Sequence, residues 1–172
     1  MAPISGRFWR ETLETVIIAL IMAFFIRTFG VESFLVFGNS MEPNIHNSER
    51  LLINKLVYRL RKPVHGEIIV FKYPRDPSRD FIKRVIAVEG ETVEVLNGTV
   101  YRDGKVVEEP YLAQTGLGDF PPLQVEAGSV FVLGDNRDAS EDSRFFGTVS
   151  HEYLRGKAMF VYWPLARGRW LR

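Results

Sequence analysis

Two residues stand where their types can do chemistry together. Ser40 closes the apolar segment Phe34-Leu-Val-Phe-Gly-Asn-Ser40 and precedes Met41-Glu42-Pro43, a proline turn that would present its hydroxyl at an edge. Lys83 lies in Phe81-Ile-Lys83-Arg84-Val-Ile-Ala-Val88, a run otherwise apolar on both faces. On a strand, Lys83 shares its face with Phe81 and Val85, while Arg84 points the other way with Ile82 and Ile86. The two cations therefore need different explanations. An ammonium buried among apolar groups favours its neutral form, and lowering its pKa by about 3 units corresponds to roughly 4 kcal/mol. Such an amine can take the proton of Ser40, the serine-lysine form of nucleophilic activation that needs no histidine. Residue types alone leave a bland reading open, because a lysine on a half-exposed strand usually points to solvent.

Other templates fail on their own residues. The chain has no cysteine, which removes a disulfide framework, a thiolate zinc site and a cysteine nucleophile. His151-Glu152 begins a zinc-protease string, but Arg155 occupies the second histidine position. Gly38-Asn39-Ser40 begins like a nucleophile elbow, yet Glu42 replaces the second glycine. Asp135-Asn-Arg-Asp138 is rich in oxygen ligands, but Arg137 and the missing glycine spoil a calcium loop. His46, His65 and His151 each lie in polar, turn-like stretches and read as surface residues. No metal or cofactor is expected. With 22 Lys+Arg against 21 Asp+Glu, the net charge of +1 gives little pull on nucleic acid.

The elements that must position the pair follow from patterning. At 172 residues, 46% hydrophobic and 25% charged, the chain can fill one ordinary domain with a small appendage. Its mean hydropathy of −0.04 averages two unlike parts. Val16 to Ile26 is uninterrupted apolar sequence, and counting from Phe8 to Phe29, with Arg10, Glu11, Glu14 and Arg27 reaching for headgroups, gives a membrane span of about 30 Å. Arg7 and Arg10 precede the run, so the positive-inside bias puts the N-terminus in the cytoplasm. Beyond Gly30 come short bursts rich in β-branched and aromatic residues: 50–54, 67–73, 81–89, 92–96, 129–133 and 157–163. Asn97-Gly98 and Asp103-Gly104 are two-residue hairpin signals, and 112–122 reads as a loop. The expected fold is mainly β, an antiparallel sheet body with one N-terminal transmembrane helix. Residues 1–30 are expected to be a cytoplasmic tail and anchor, 31–172 an extracytoplasmic catalytic domain, and 90–128 a small hairpin and loop insertion within it.

A third segment, Ser129-Val-Phe-Val-Leu-Gly134-Asp-Asn-Arg-Asp-Ala-Ser140-Glu-Asp142-Ser-Arg144, runs a strand into a loop dense in charges of both signs. With the anchor, Gly38-Asn-Ser40-Met41-Glu-Pro43, Gly66-Glu-Ile-Ile-Val-Phe71 and Phe81-Ile-Lys83-Arg84-Val-Ile86, it makes the chain resemble type I signal peptidases from the anchor to Trp163. These membrane-bound leader peptidases remove signal sequences from exported proteins. The resemblance implies Ser40 as nucleophile and Lys83 as general base, with Met41 lining the site. It also implies that Ser140 orients the Lys83 amine, that Asp142 and Arg144 form a supporting ion pair, and that Asp135 and Arg84 are structural. The Ser40 N–H is the natural oxyanion donor. Some members carry a serine as second donor where this chain has Gly38. The implied partners are preprotein signal peptides and the lipid bilayer, at a bacterial cytoplasmic membrane. Phe34, Val36 and Phe37 are candidates to line the substrate pockets, with ordinary core as their bland reading. Two rival readings remain at this point: a self-cleaving Ser-Lys repressor, which would need a DNA-binding module, and a noncatalytic anchored β module.

Overall fold

The computed structural model describes residues 6–25, 30–114, 116 and 118–171. Helix α1, Gly6–Phe25, carries the apolar run, and Val16, Ile17, Ile18, Leu20, Ile21, Met22 and Phe24 are all exposed on it. Ile26, Arg27 and Phe29, where the expected span ends, lie outside the described residues. Among the described residues no helix is long and apolar enough to cross a membrane, so the expected transmembrane helix is not obtained as such.

Among the described residues the β-rich bursts become twelve antiparallel strands. In chain order they are β1 (Val31–Leu35), β2 (Arg50–Asn54), β3 (Ile68–Tyr73), β4 (Asp76–Val88), β5 (Thr92–Leu96) and β6 (Thr99–Arg102). They continue with β7 (Lys105–Val106), β8 (Phe120–Gln124), β9 (Ser129–Leu133), β10 (Val149–Ser150), β11 (Leu154–Trp163) and β12 (Arg169–Trp170). The large sheet runs β1-β2-β11-β3-β4-β9-β10, with β12 also paired to β11; the small sheet runs β7-β6-β5-β8. Two short helices, α2 (Val57–Leu60) and α3 (Ser143–Phe146), connect strands of the large sheet.

Burial explains the register. β9 is buried at all five positions, as expected of a strand covered on both faces. β3 and β4 pair Ile69 with Lys83 and Ile68 with Arg84, and directly opposed residues share a face. One face therefore carries the cluster Ile69, Phe71, Val85, Val130 and Val132, and Lys83 belongs to it. The other carries Ile68, Val70, Ile82, Ile53 and Met41, and Arg84 belongs there. A third cluster, with Ile86, Phe131 and Leu133 against Val93, Val95 and Val100, fastens the small sheet to the large one.

Several strands depart from expectation. β1 was not among the expected strands; Glu32 and Ser33 interrupt its apolar pattern, yet it pairs along its length with β2. β8 falls partly within the expected 112–122 loop and contains Pro121 and Pro122. It is the edge strand of its sheet, where missing N–H donors are tolerated. β4 begins at Asp76, five residues before the apolar burst, because its first part pairs with β3 through Tyr73 and Asp76. Both hairpin signals hold, with positive φ at Asn97 (49°), Gly98 (76°), Asp103 (50°) and Gly104 (72°), the geometry that two-residue turns require.

Candidate active site

Ser40 sits in the turn that leaves β1. The turn is closed by the Glu42 N–H to the Asn39 carbonyl at 3.2 Å and the Ile45 N–H to the Met41 carbonyl at 2.9 Å. It is tied to the loop after β9, where the Asn136 N–H donates to the Ser40 carbonyl at 3.0 Å and Asn136 Nδ2 donates to the Asn39 carbonyl at 3.2 Å. Gly38, at φ 90°, sends its N–H to Asn47 Oδ1 at 3.0 Å, which engages that donor within the turn.

Lys83 reaches this turn from β4. Its Nζ lies 2.7 Å from Ser40 Oγ and 5.2 Å from the centroid of the Phe81 ring. The residue is 3% exposed. Burial lowers its pKa from 10.5 to about 8, against the opposing pull of the carboxylates of Asp142, Glu141 and Asp135. An amine near that value is neutral often enough around neutral pH to take a proton, and it can return one as an acid. The pair opens into a cleft of about 380 Å³ walled by Phe34, Phe37, Asp80, Phe81, Ile82 and Glu141 among others.

The charged loop after β9 builds the floor. Asp142 is fully buried; it accepts from the Gly134 N–H at 3.1 Å and from Arg144 Nε at 2.8 Å, while an Arg144 Nη donates to the Arg137 carbonyl at 2.6 Å. Arg137 pairs in turn with Glu109. On the opposite face of β4, Arg84 grips Asp135 in a two-pronged contact at 2.8 and 2.7 Å and stacks over Tyr111 at 3.9 Å. Asn44, four residues after Ser40, donates to the same Asp135 carboxylate at 2.8 Å, so the buried ion pair also anchors the serine turn. A larger cavity of about 730 Å³ lies on that Arg84 face, lined by Tyr111, Lys157 and Trp170, away from both Ser40 and Lys83.

The structure thus brings Ser40, Lys83, Ser140, Asp142 and Arg144 together on one side of β4, and Arg84 with Asp135 on the other. Two expectations change. Met41, expected to line the site, is 1% exposed and packs in the core beneath it with Ile45 and Ile82; Val36, also 1% exposed, takes its bland reading as core, while Phe34 and Phe37 line the cleft. Ser140 is buried beside the pair, but its Oγ has no hydrogen-bond partner among the described residues and packs against Gly134 instead of orienting Lys83. A Cβ on Gly134 would stand 2.2 Å from that Oγ and 2.5 Å from the Ser40 carbonyl oxygen, so glycine is needed for this close approach. Sequence reasoning did not single out Asn44, Asn136 or Glu141. Asn136 and Glu141 lie within the box from Gly134 to Arg144, which is the signal that marks them; Asn44 has none.

Known proteins resemble this chain over most of its length. Residues 9–163 match the family model described as signal peptidase, peptidase S26. A probable signal peptidase I-2 of Synechocystis sp. is 41% identical, with 92% of this chain and 75% of the relative covered. Signal peptidase I of Bacillus amyloliquefaciens is 39% identical, covering 93% and 88%. The crystal structure of a signal peptidase I from Enterococcus faecalis V583 superposes with a TM-score of 0.52 at 36% identity, over 56% of this chain and 97% of that one. The chain belongs to the signal peptidase family, peptidase S26, and is a signal-peptide-cleaving serine protease.

Proposed function

We propose that Ser40 is the nucleophile and Lys83 the general base of a membrane-anchored endopeptidase that removes signal peptides from exported preproteins. The observation that carries this reading is the 2.7 Å approach of Lys83 Nζ to Ser40 Oγ, made by a lysine that is 3% exposed. Neutral Lys83 takes the Ser40 proton as Oγ attacks the scissile carbonyl. The Ser40 N–H meets the developing oxyanion, and protonated Lys83 then gives its proton to the leaving amine. A water deprotonated by Lys83 releases the acyl group from Ser40 and restores the pair. Activity should therefore rise as pH passes about 8, where Lys83 loses its proton.

Substrate binding follows from strand edges. β9 pairs with β4 only from Arg84 to Val88, so residues 76–83 offer backbone groups on one side, and β1 is an edge of the large sheet. An extended preprotein segment can add there as a strand, with alternate side chains entering between Phe34, Phe37 and Ile82. Arg84, Asp135, Asp142 and Arg144 hold the loop and turn that carry the pair, and Ser140 packs beside it. The exposed apolar side chains of α1 suit a lipid surrounding, and we assign the helix to the anchor, with the N-terminus cytoplasmic and the β body outside a bacterial cytoplasmic membrane.

The test is cleavage of a preprotein by the full chain in lipid vesicles, compared with Ser40→Ala and Lys83→Ala. Each variant should lose about a thousandfold or more. Full activity in both would refute the assignment. The anchor is tested by adding protease outside sealed right-side-out vesicles: degradation of the body is expected, and its protection would overturn the topology.

A further inference from the structure

Four carboxylates lie near the Ser40–Lys83 pair, Asp135 from across β4, and three of them are held by a guanidinium. Asp142 is bound by Arg144 at 2.8 Å, Asp135 by Arg84 at 2.7 Å, and Asp80 by Arg155 at 2.8 Å. Glu141 differs. It lines the same cleft as Ser40 and Lys83, and the hydrogen bond to its carboxylate comes from the neutral phenol of Tyr73. Among the described residues it has no cation within ion-pair distance.

Tyr73 is itself fixed. Its ring stacks on Phe81 at 4.4 Å and 9°, and meets Phe146 edge-on at 5.5 Å. Lys83 Nζ lies 5.2 Å from the centre of that same Phe81 ring. Glu141, Tyr73, Phe81 and Lys83 thus form one continuous wall, and the phenol tethers the carboxylate to it.

We infer that Glu141 is a positioning residue for the catalytic proton: its carboxylate, tethered by Tyr73 and without a cation at ion-pair distance among the described residues, stabilises the ammonium form of Lys83 and so shifts the pH at which the base becomes active. The inference rests on the reading of Lys83 as general base. The physics is direct, because an anion beside a buried ammonium favours its charged form. Against burial, Asp142 raises the Lys83 pKa most, Glu141 next and Asp135 after it, while Arg144 lowers it. Of these three carboxylates only Glu141 has no cation at ion-pair distance among the described residues. Other charges stand near Lys83: Arg79 and Asp80 from β4, Asp142 and Arg144 at the start of α3, and Asp135 of the loop after β9, acting from the other face of β4. Of these, Arg79 also lacks a carboxylate partner among the described residues. It lies over the Tyr73 and Phe81 rings at 5.6 and 5.2 Å.

Two readouts test this on the full chain in neutral detergent micelles. One is the titration of the Lys83 amine followed by nitrogen-15 NMR, and the other is the pH profile of kcat/KM on a peptide without ionisable side chains near the scissile bond. Glu141→Gln, which keeps an acceptor for Tyr73, should move both downward by about half a pH unit, with about threefold more activity on the acid side. Glu141→Asp should restore part of the difference. A purely structural Glu141 would change the rate without moving either curve. An Lys83 titration in Glu141→Gln that coincides with wild type would overturn the inference. An amine titration that moves while the rate profile stays put would uphold the effect of Glu141 on the amine and refute Lys83 as the base.

Discussion

Replacing Lys83 by methionine should make the protein more stable while destroying its activity. Lys83 is 3% exposed, and burial takes its pKa from 10.5 in the unfolded chain to about 8 in the fold. That fall of about 2.5 pH units corresponds to about 3 kcal/mol at 1.36 kcal/mol per unit. Below pH 8 the amine is protonated in both states, and the folded state bears the full burden of a buried ammonium. Between pH 8 and 10.5 the folded state releases its proton first, so the burden fades and wild-type stability rises with pH. Lys83→Met carries no such group and fills similar space. Urea unfolding of both proteins, followed by tryptophan fluorescence at pH 7, 9 and 10.5, should give a variant more stable by up to about 3 kcal/mol at pH 7, with the difference vanishing towards pH 10.5. A difference that does not change with pH, or a variant less stable at pH 7, would refute the claim that Lys83 is held against its charge.

Two further substitutions probe the loop and the pair behind it. Gly134→Ala should cut kcat by at least about a hundredfold, because its Cβ would come within 2.5 Å of the Ser40 carbonyl oxygen and 2.2 Å of Ser140 Oγ; steady-state kinetics with an unchanged circular dichroism spectrum checks it. Asp135→Asn leaves Arg84 buried without its counter-charge and weakens the hold on Asn44, so unfolding should show a loss of about 3–5 kcal/mol together with reduced activity.

What could be read from sequence was mostly local and periodic. The alternation of a strand separates Lys83 from Arg84, and they do face opposite sides of β4, one to Ser40 and the other to Asp135. Asn97-Gly98 and Asp103-Gly104 carry their turn geometry in their residue types, and both turns form as read. The misses arise where pairing partners decide the outcome. Glu32 and Ser33 hide β1, which exists because β2 offers it a full register. Pro121 and Pro122 argue for a loop, yet an edge position tolerates them in β8. Asn44 meets Asp135 across 91 positions, and no local pattern announces such a contact. The inward turn of Met41 likewise depends on the packing of Val36, Ile45 and Ile82 around it.

The chemical role of Ser40 and Lys83 is tested most directly by trapping the acyl-enzyme. A signal-peptide ester is mixed with the full chain, quenched in acid within milliseconds, and the adduct located by peptide mass mapping. An acyl ester is expected on Ser40, absent in Ser40→Ala and formed at least about a hundredfold more slowly in Lys83→Met. An adduct on another residue, or undiminished acylation in Lys83→Met, would contradict that role.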